Sequence, residues 1–552
     1  MKLSKRSSSL VATAIAAALL MTACGGSDDE TSEEGGTSDG GGSFSIYIGE
    51  PENALLPGNT SETEGGQVVD SLWTGLVQYD HETNEAAFTG VAESIESDDA
   101  TTWTVTLKDG WTFHDGTPVN AQSFVDAWNY SAYSPNAQGN SYFFGDIAGY
   151  DDLQAPTDAD GNPTGDPAAT EMSGLKVVDD LTFTVQLSSP YAQWPTKVGY
   201  TAFFPLPQAF FDDPEGFGEQ PIGNGPFKAD EPFVPGQGIT LTRYDEYGGE
   251  EKANAEEVQY IVYAELDTAY TDLQGGNVDI VDTLPPDAIS SAKDEFGDRY
   301  IETVQGDITS LGFPTYDARF ADPQVRRAFS MAIDREAITE AIFSGTRTPA
   351  TSFLNPVIAG YRDDACDACE LNVEEANSLL DKAGFDRSQP VELWFNGGAG
   401  HDAWMEAIGN QLRENLKVDY VLRGELDFSE YLPLRDAKGM TGPFRDGWIM
   451  DYPTAENFLG PLYTTAALPP AGSNNSFYSN PEFDALVQEG NAATSDEDAI
   501  KAYQDAEDIL VRDMPEAPLW YRLNQGAHSE KVDNVIIDAF GRIDAAAVKV
   551  VG

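Results

Sequence analysis

Cysteine, histidine and positive charge are all scarce in this chain of 552 residues. Three cysteines, four histidines and 31 lysines and arginines stand against 93 aspartates and glutamates, for a net charge of −62. So few cations argue against a protein that grips nucleic-acid phosphates, which takes basic surface. They argue equally against electrostatic attachment to anionic lipid. His81, His114, His401 and His528 lie far apart in sequence, so a histidine metal cage has no support, and neither a metal nor a cofactor is expected. The run Asp158-Ala-Asp-Gly-Asn starts like a calcium loop, but Pro163 stands where the sharp-turn glycine belongs and Ala169 where the bidentate glutamate belongs. The phosphate-cradling G-x-x-x-x-G-K-[ST] and the metal-binding H-E-x-x-H do not occur, and the one hydrolytic G-x-S-x-G frame, at 36–40, lies in a run of Gly, Ser, Thr and acid with no apolar strand before it. Carboxylate pairs carry no signal in so acidic a chain, and an enzyme is not expected.

What is present begins at the first residue. Lys2, Lys5 and Arg6 precede an apolar run from Leu10 to Met21, and Met-Thr-Ala-Cys follows, ending at Cys24. A basic start, a short apolar segment and small residues before the cut form a secretion signal, here over residues 1–23. The run is too short to span a bilayer, which takes ~20 apolar residues. The cysteine at the cut resembles a lipoprotein signal, with Cys24 acylated and the protein held outside the cytoplasm on a lipid. Residues 24–43 then form a linker of Gly, Ser and acid, flexible and self-repelling. The acidic surface suits a salty medium or draws cationic ligands; charge alone does not choose. Cys366-Asp-Ala-Cys369 has redox or half-zinc spacing in a cytosolic chain, whereas outside the cell a local disulfide is the expectation.

Apolar residues make up 41% and aromatics are plentiful (Trp 9, Tyr 23, Phe 28), enough for cores in two or three lobes. FSIYIG from Phe44, Trp103–Leu107 and Leu181–Leu187 alternate like strands, the last forming a hairpin with 175–178 around Asp179-Asp180. Residues 68–77 predict a helix that turns at Gly75. Asn120 caps a helix with Ala121, Phe124, Val125 and Trp128 on one face. Asp322-Pro323 opens another that runs to Gly345, Asn372 one that ends at Gly384, and Asn480-Pro481 and Ser495 two more. Strands and helices mix throughout, which places the chain in the α/β class.

Several stretches together carry a family resemblance. WTFHDGTPVNAQSFVDAW (111–128), GNGPFK (223–228), DPQVRRAFSMAIDREAI (322–338), NVEEANSLLDKAGF (372–385) and GWIMDYPTAENFLGPLY (447–463) follow in order. They resemble the signatures of the family 5 extracellular solute-binding proteins, which serve ABC importers of peptides, nickel and related solutes. The resemblance implies a two-lobed, type II periplasmic-binding-protein-like fold that closes on its ligand about a hinge. Lobe I would run over 44–304 with an extra subdomain near 78–172. Lobe II would run over 305–513, and 514–552 would return to lobe I, with PEAPLWY (515–521) as a strand.

Residues 445–451, RDGWIMD, resemble the R-x-G-W-x-x-D of the oligopeptide-binding subgroup. That resemblance implies that Asp451 meets a peptide's terminal ammonium, Arg445 a ligand carboxylate, and Trp448 the pocket wall. A desolvated ammonium needs a fixed anion, and a guanidinium matches a carboxylate two bonds at a time. Further wall residues, by the same analogy, are Thr63 and Glu64 in the segment 60–64 and Tyr142 in 142–144. A lipid-anchored monomer is expected that faces outward on the cell membrane, captures peptides and hands them to permease subunits. Alternatives are a nickel chelate, an opine or an oligosaccharide as solute, or a sensing lipoprotein that keeps the fold.

Overall fold

The computed structural model describes residues 41–551, apart from 52, 61, 158–162, 251, 398, 399, 427, 470 and 471. The secretion signal, Cys24, the linker up to residue 40 and the calcium-like run 158–162 lie outside them. Among the described residues no helix is long and apolar enough to cross a membrane.

Ser43–Ile48 is a strand, as its alternation predicts, and buries Phe44, Ile46 and Ile48. It lies parallel to Glu257–Val262 on one side and to Ile280–Val281 on the other. These strands belong to one large mixed sheet that continues into a second region. The link is the longest strand, Glu516–His528, which extends seven residues past the predicted 515–521. Its first part pairs antiparallel with Asp307–Gly312, and its last part with Tyr300–Val304 and Ile280–Val281. Burial follows the same division: the strand is buried at both ends and half-exposed at Arg522, Leu523 and Asn524.

Two large hydrophobic cores flank that crossing. The first gathers Phe44, Trp73, Trp128 and Phe183 with Val532, Ile537, Ile543 and Val548 from the chain's end. Gln67 fastens that end in place, donating to the Ile543 carbonyl and accepting from its N–H, both at 2.8 Å. The second core gathers Ile308, Leu311, Phe329, Trp404, Leu510 and Trp520. A separate four-stranded antiparallel sheet, Ala92–Glu96, Thr102–Leu107, Thr182–Gln186 and Leu175–Asp179, carries the helix Ala121–Ala132. Asn120 and Ser123 form the capping box that starts this helix. Trp128 fills the space between them, edge-on to Phe183, Phe203 and Trp194.

Two of the sequence signatures meet here. The His114 N–H donates to the Gly223 carbonyl at 2.8 Å, and the Gly223 N–H donates to His114 Nδ1 at 3.1 Å. Burial holds the imidazole down at about 4, so it is neutral and able to accept. Asn224 in turn clamps both backbone groups of Thr74. Position 223 has to be glycine, because a Cβ there would lie 1.8 Å from the Leu72 carbonyl oxygen.

Two helix predictions need correction. The helix expected over 68–77 is Thr63–Leu72, and Gly75 lies beyond it. The helix expected from Asp322 to Gly345 is two, Pro323–Met331 and Arg335–Phe343. Asp334 breaks it by turning its carboxylate onto the Ala337 N–H as a new cap. The buried Arg335 guanidinium then donates to the carbonyls of Ser330, which also accepts the Ile333 N–H, and Ile333.

Cys366 and Cys369 are bonded, with their Cα atoms 5.3 Å apart. So short a loop constrains the unfolded chain little, and the bond is worth about 2 kcal/mol on entropy grounds. Donors from Ser330 to the Ala368 carbonyl and from Arg335 to that of Cys369 hold the loop without it. Reduction is therefore expected to lower stability by about 2 kcal/mol and leave the fold intact, measured as the urea midpoint with and without reductant. Loss of the folded state on reduction would contradict this.

Candidate functional site

The strand Phe444–Ile449 pairs with Asp307–Gly312 along its whole length on one side. On the other side only Phe444 has a partner, Trp394. Among the described strands its remaining edge is open, and Asp451 stands just past its end.

Asn457 fixes the geometry of that end. It sits fully buried in the helix Ala455–Tyr463, whose cap is Thr454. Its side-chain oxygen accepts from Trp448 Nε1 at 3.0 Å and from the Asp451 N–H at 2.9 Å. Its amide donates to Asp451 Oδ2 at 3.2 Å. The other carboxylate oxygen of Asp451 accepts from the Tyr142 hydroxyl at 3.4 Å. Burial pushes the Asp451 carboxyl up to about 6, against the pull of Asn457, Lys197 and Tyr142. No lysine or arginine forms an ion pair with it among the described residues.

Around it lies a belt that joins the two cores. Lys197, buried beside Asp146, stands over the Tyr452 ring at 5.6 Å. Glu456 accepts from Tyr452 at 2.9 Å and from Tyr191 at 3.2 Å, and burial raises its carboxyl. The Ala192 N–H donates to the Asn491 carbonyl at 2.7 Å. Arg445 is half-buried and burial lowers its guanidinium, with Asp446 opposing. Its charge acts on His401, which burial holds at about 4. The Arg445 carbonyl accepts from Tyr431 at 2.7 Å.

Five of the six sequence-predicted residues thus fall into two groups, and Arg445 joins neither. Asp451, Trp448 and Tyr142 come together through Asn457. Thr63 and Glu64, at the start of the Thr63–Leu72 helix, line instead a cavity of about 670 Å³. Neither Asp451, Trp448, Tyr142 nor Arg445 lines it. Its walls come from both cores, and Gln305 with residues 522–525 contributes where the strands cross. Such a volume is ordinary for a small-ligand site. Asn457 carries no role in the sequence reading, although an asparagine three residues after a Thr cap inside an apolar helix was a signal within reach. Asp282 and Arg347, which also line the cavity, were not legible because they come from distant segments. Among the described residues no cluster of histidine, cysteine and carboxylates could hold a metal.

Known proteins share this architecture. The E. coli periplasmic murein peptide-binding protein MppA is 28% identical over 470 residues, 83% of each chain. The Salmonella typhimurium periplasmic oligopeptide-binding protein OppA is 28% identical over 494 residues, 86% of each. An unliganded open form of the murein tripeptide-binding protein MppA superposes with a TM-score of 0.80 at 24% identity, over 92% of this chain and 97% of that one. The fold is accordingly the two-lobed type II fold of periplasmic binding proteins. Residues 88–469 match the family model described as "Bacterial extracellular solute-binding proteins, family 5 Middle". With most of its length matched, this chain belongs to the family 5 bacterial extracellular solute-binding proteins.

Proposed function

We propose that this protein is the solute-capturing component of an ABC importer and that its solutes are peptides held by their free amino terminus. The observation that carries the reading is the Asp451 carboxylate. It is desolvated, oriented by Asn457 and Tyr142, and without a cationic partner among the described residues. A bound ammonium would offset the cost of that burial. The open edge of the 444–449 strand offers backbone groups to an extended peptide beside it. Arg445, on the same strand, meets a ligand carboxylate in this reading, and Trp448 forms the wall next to the anchor. The names of the relatives, oligopeptide-binding and murein peptide-binding, agree with this solute class.

In this reading each core is a lobe. Lobe I covers 44–304 and lobe II 305–513, with two corrections to the expected bounds: the subdomain expected near 78–172 includes the strands up to Gln186, and of 514–552 the part through Tyr521 packs in the second core, so the chain returns to lobe I only past Arg522. Closure turns about the crossing at Gln305–Gly306 and Arg522. The protein works as a monomer outside the cytoplasm, tethered through acylated Cys24, and delivers its load to a permease. Residues 25–552, produced without the signal and gently denatured, should release short peptides of mixed sequence, identified by mass spectrometry. A single chelate or oligosaccharide would keep the fold and overturn the solute. The tether is checked separately: fatty-acid label should enter the native protein and be absent from Cys24→Ala. Label persisting in that variant would remove the anchor from the reading.

A further inference from the structure

The 670 Å³ cavity has charge of both signs on its walls, and within it the charges do not neutralise one another. From the first core come Glu64 and Asp282, close enough that both add to burial in raising the nearby Tyr47 hydroxyl. No lysine or arginine pairs with either carboxylate among the described residues. From the second core comes Arg347, whose guanidinium stacks over Phe343 and donates to the Thr346 carbonyl. The carboxylate that acts on Arg347 is Asp307. Asp307 already receives the Arg522 N–H at 2.7 Å and Nε at 2.6 Å. Glu64 and Asp282 line the cavity from one core and Arg347 from the other, and no ion pair joins them among the described residues.

In a chain with so few cations, an arginine facing a cavity without its own carboxylate is unusual, because most others here are paired or buried against carbonyls. Partly desolvated charges of this kind are unfavourable until a group of opposite charge arrives. A ligand that answers only one wall leaves the other uncompensated. A group bearing both an amine and a carboxylate answers both, and the guanidinium fork suits the carboxylate.

We propose that this cavity receives the carboxy-terminal residue of a captured peptide when that residue is basic, seating the side-chain ammonium between Glu64 and Asp282 and the terminal carboxylate on Arg347. The inference rests on the peptide reading above and adds to it a preference at the peptide's carboxy terminus. The cavity is fitted to lysine- or ornithine-like ends, and an aliphatic end leaves two carboxylates facing each other unanswered.

The test is titration calorimetry of residues 25–552 with alanine peptides of graded length that end in lysine, norleucine or lysine amide. Norleucine keeps the chain of the side group and removes its charge. The lysine peptide should bind at least about tenfold tighter than the norleucine peptide of equal length, as expected for one desolvated charge pair. Glu64→Gln with Asp282→Asn should bind the two alike, and its binding of the norleucine peptide reports that the variant is folded. Arg347→Gln should bind acid and amide alike while the native protein prefers the acid. Equal affinity for lysine and norleucine ends in the native protein would overturn the inference and leave peptide capture standing. Binding of none of these peptides would overturn both.

Discussion

Asp451→Asn is expected to weaken peptides with a free amine by about a hundredfold or more, and their N-acetylated counterparts by less than about threefold. Removing one partner of a desolvated charge pair costs roughly 3–5 kcal/mol, and ~2.8 kcal/mol is already a hundredfold in Kd. The acetylated peptide carries no ammonium, so it never gained from the charge. Asparagine keeps the shape, and Asn457 still accepts from Trp448 and from the backbone N–H at 451, so the loss reads charge rather than collapse. The pH dependence gives a second signature. Burial lifts the Asp451 carboxyl to about 6. A bound ammonium favours the ionised form and lowers it. Binding must then expel a proton below about pH 6, and affinity falls as pH falls through that value, by up to tenfold per unit. Above about pH 8 the peptide's own amine loses its proton and affinity falls again. Asp451→Asn should flatten the acid limb. Calorimetry at about pH 5 and about pH 7 checks both, and equal losses for free and acetylated peptides would sink the anchor role.

Arg335→Ala is expected to cost at least about 4 kcal/mol of stability, or to leave no soluble protein. The Arg335 side chain is buried, and its guanidinium donates to the carbonyls of Pro518 (2.7 Å), Cys369 (2.7 Å), Ser330 (3.1 Å) and Ile333 (3.3 Å), and to the Ser330 hydroxyl (2.8 Å). No carboxylate pairs with it among the described residues, and burial lowers it to about 9. Each carbonyl left without a donor costs about 1–3 kcal/mol. Relaxation and water entry recover part of the sum. Arg335→Lys should restore little, because one ammonium cannot reach acceptors spread over three chain segments. The denaturant midpoint measures the effect, and a loss under about 1 kcal/mol would show that the carbonyls find other donors.

This arginine also marks where sequence reading stops. Asp322-Pro323, Asn372, Asn480-Pro481 and Ser495 are local signals, and each begins a helix where chemistry within three residues says it must. The division of 323–343 into two helices depends on Arg335, on Pro518 far along the chain, and on Gln411, which accepts the Asp334 N–H at 2.7 Å. No window of sequence holds those together. The site shows the same contrast. Asp451, Arg445 and Trp448 stand in one short motif and were legible through it. Asn457, which orients two of them, was printed in the next segment without a role. Asp282 and Arg347 face one cavity from opposite cores, and only the folded chain brings them there.

The route of the last residues has a consequence for when such a chain can fold. The first core, which begins at Phe44, is completed by Val532, Ile537, Ile543 and Val548, and Gln67 waits for Ile543. Residues 523–528 fill the same sheet between Ile280–Val281 and Tyr300–Val304. While synthesis is in progress, the amino-terminal half has its apolar face but lacks the segments that cover it. It therefore cannot lock into its final form before the ribosome has nearly finished. Completion of the chain and completion of its first core thus coincide, a delay written into the connectivity of the fold.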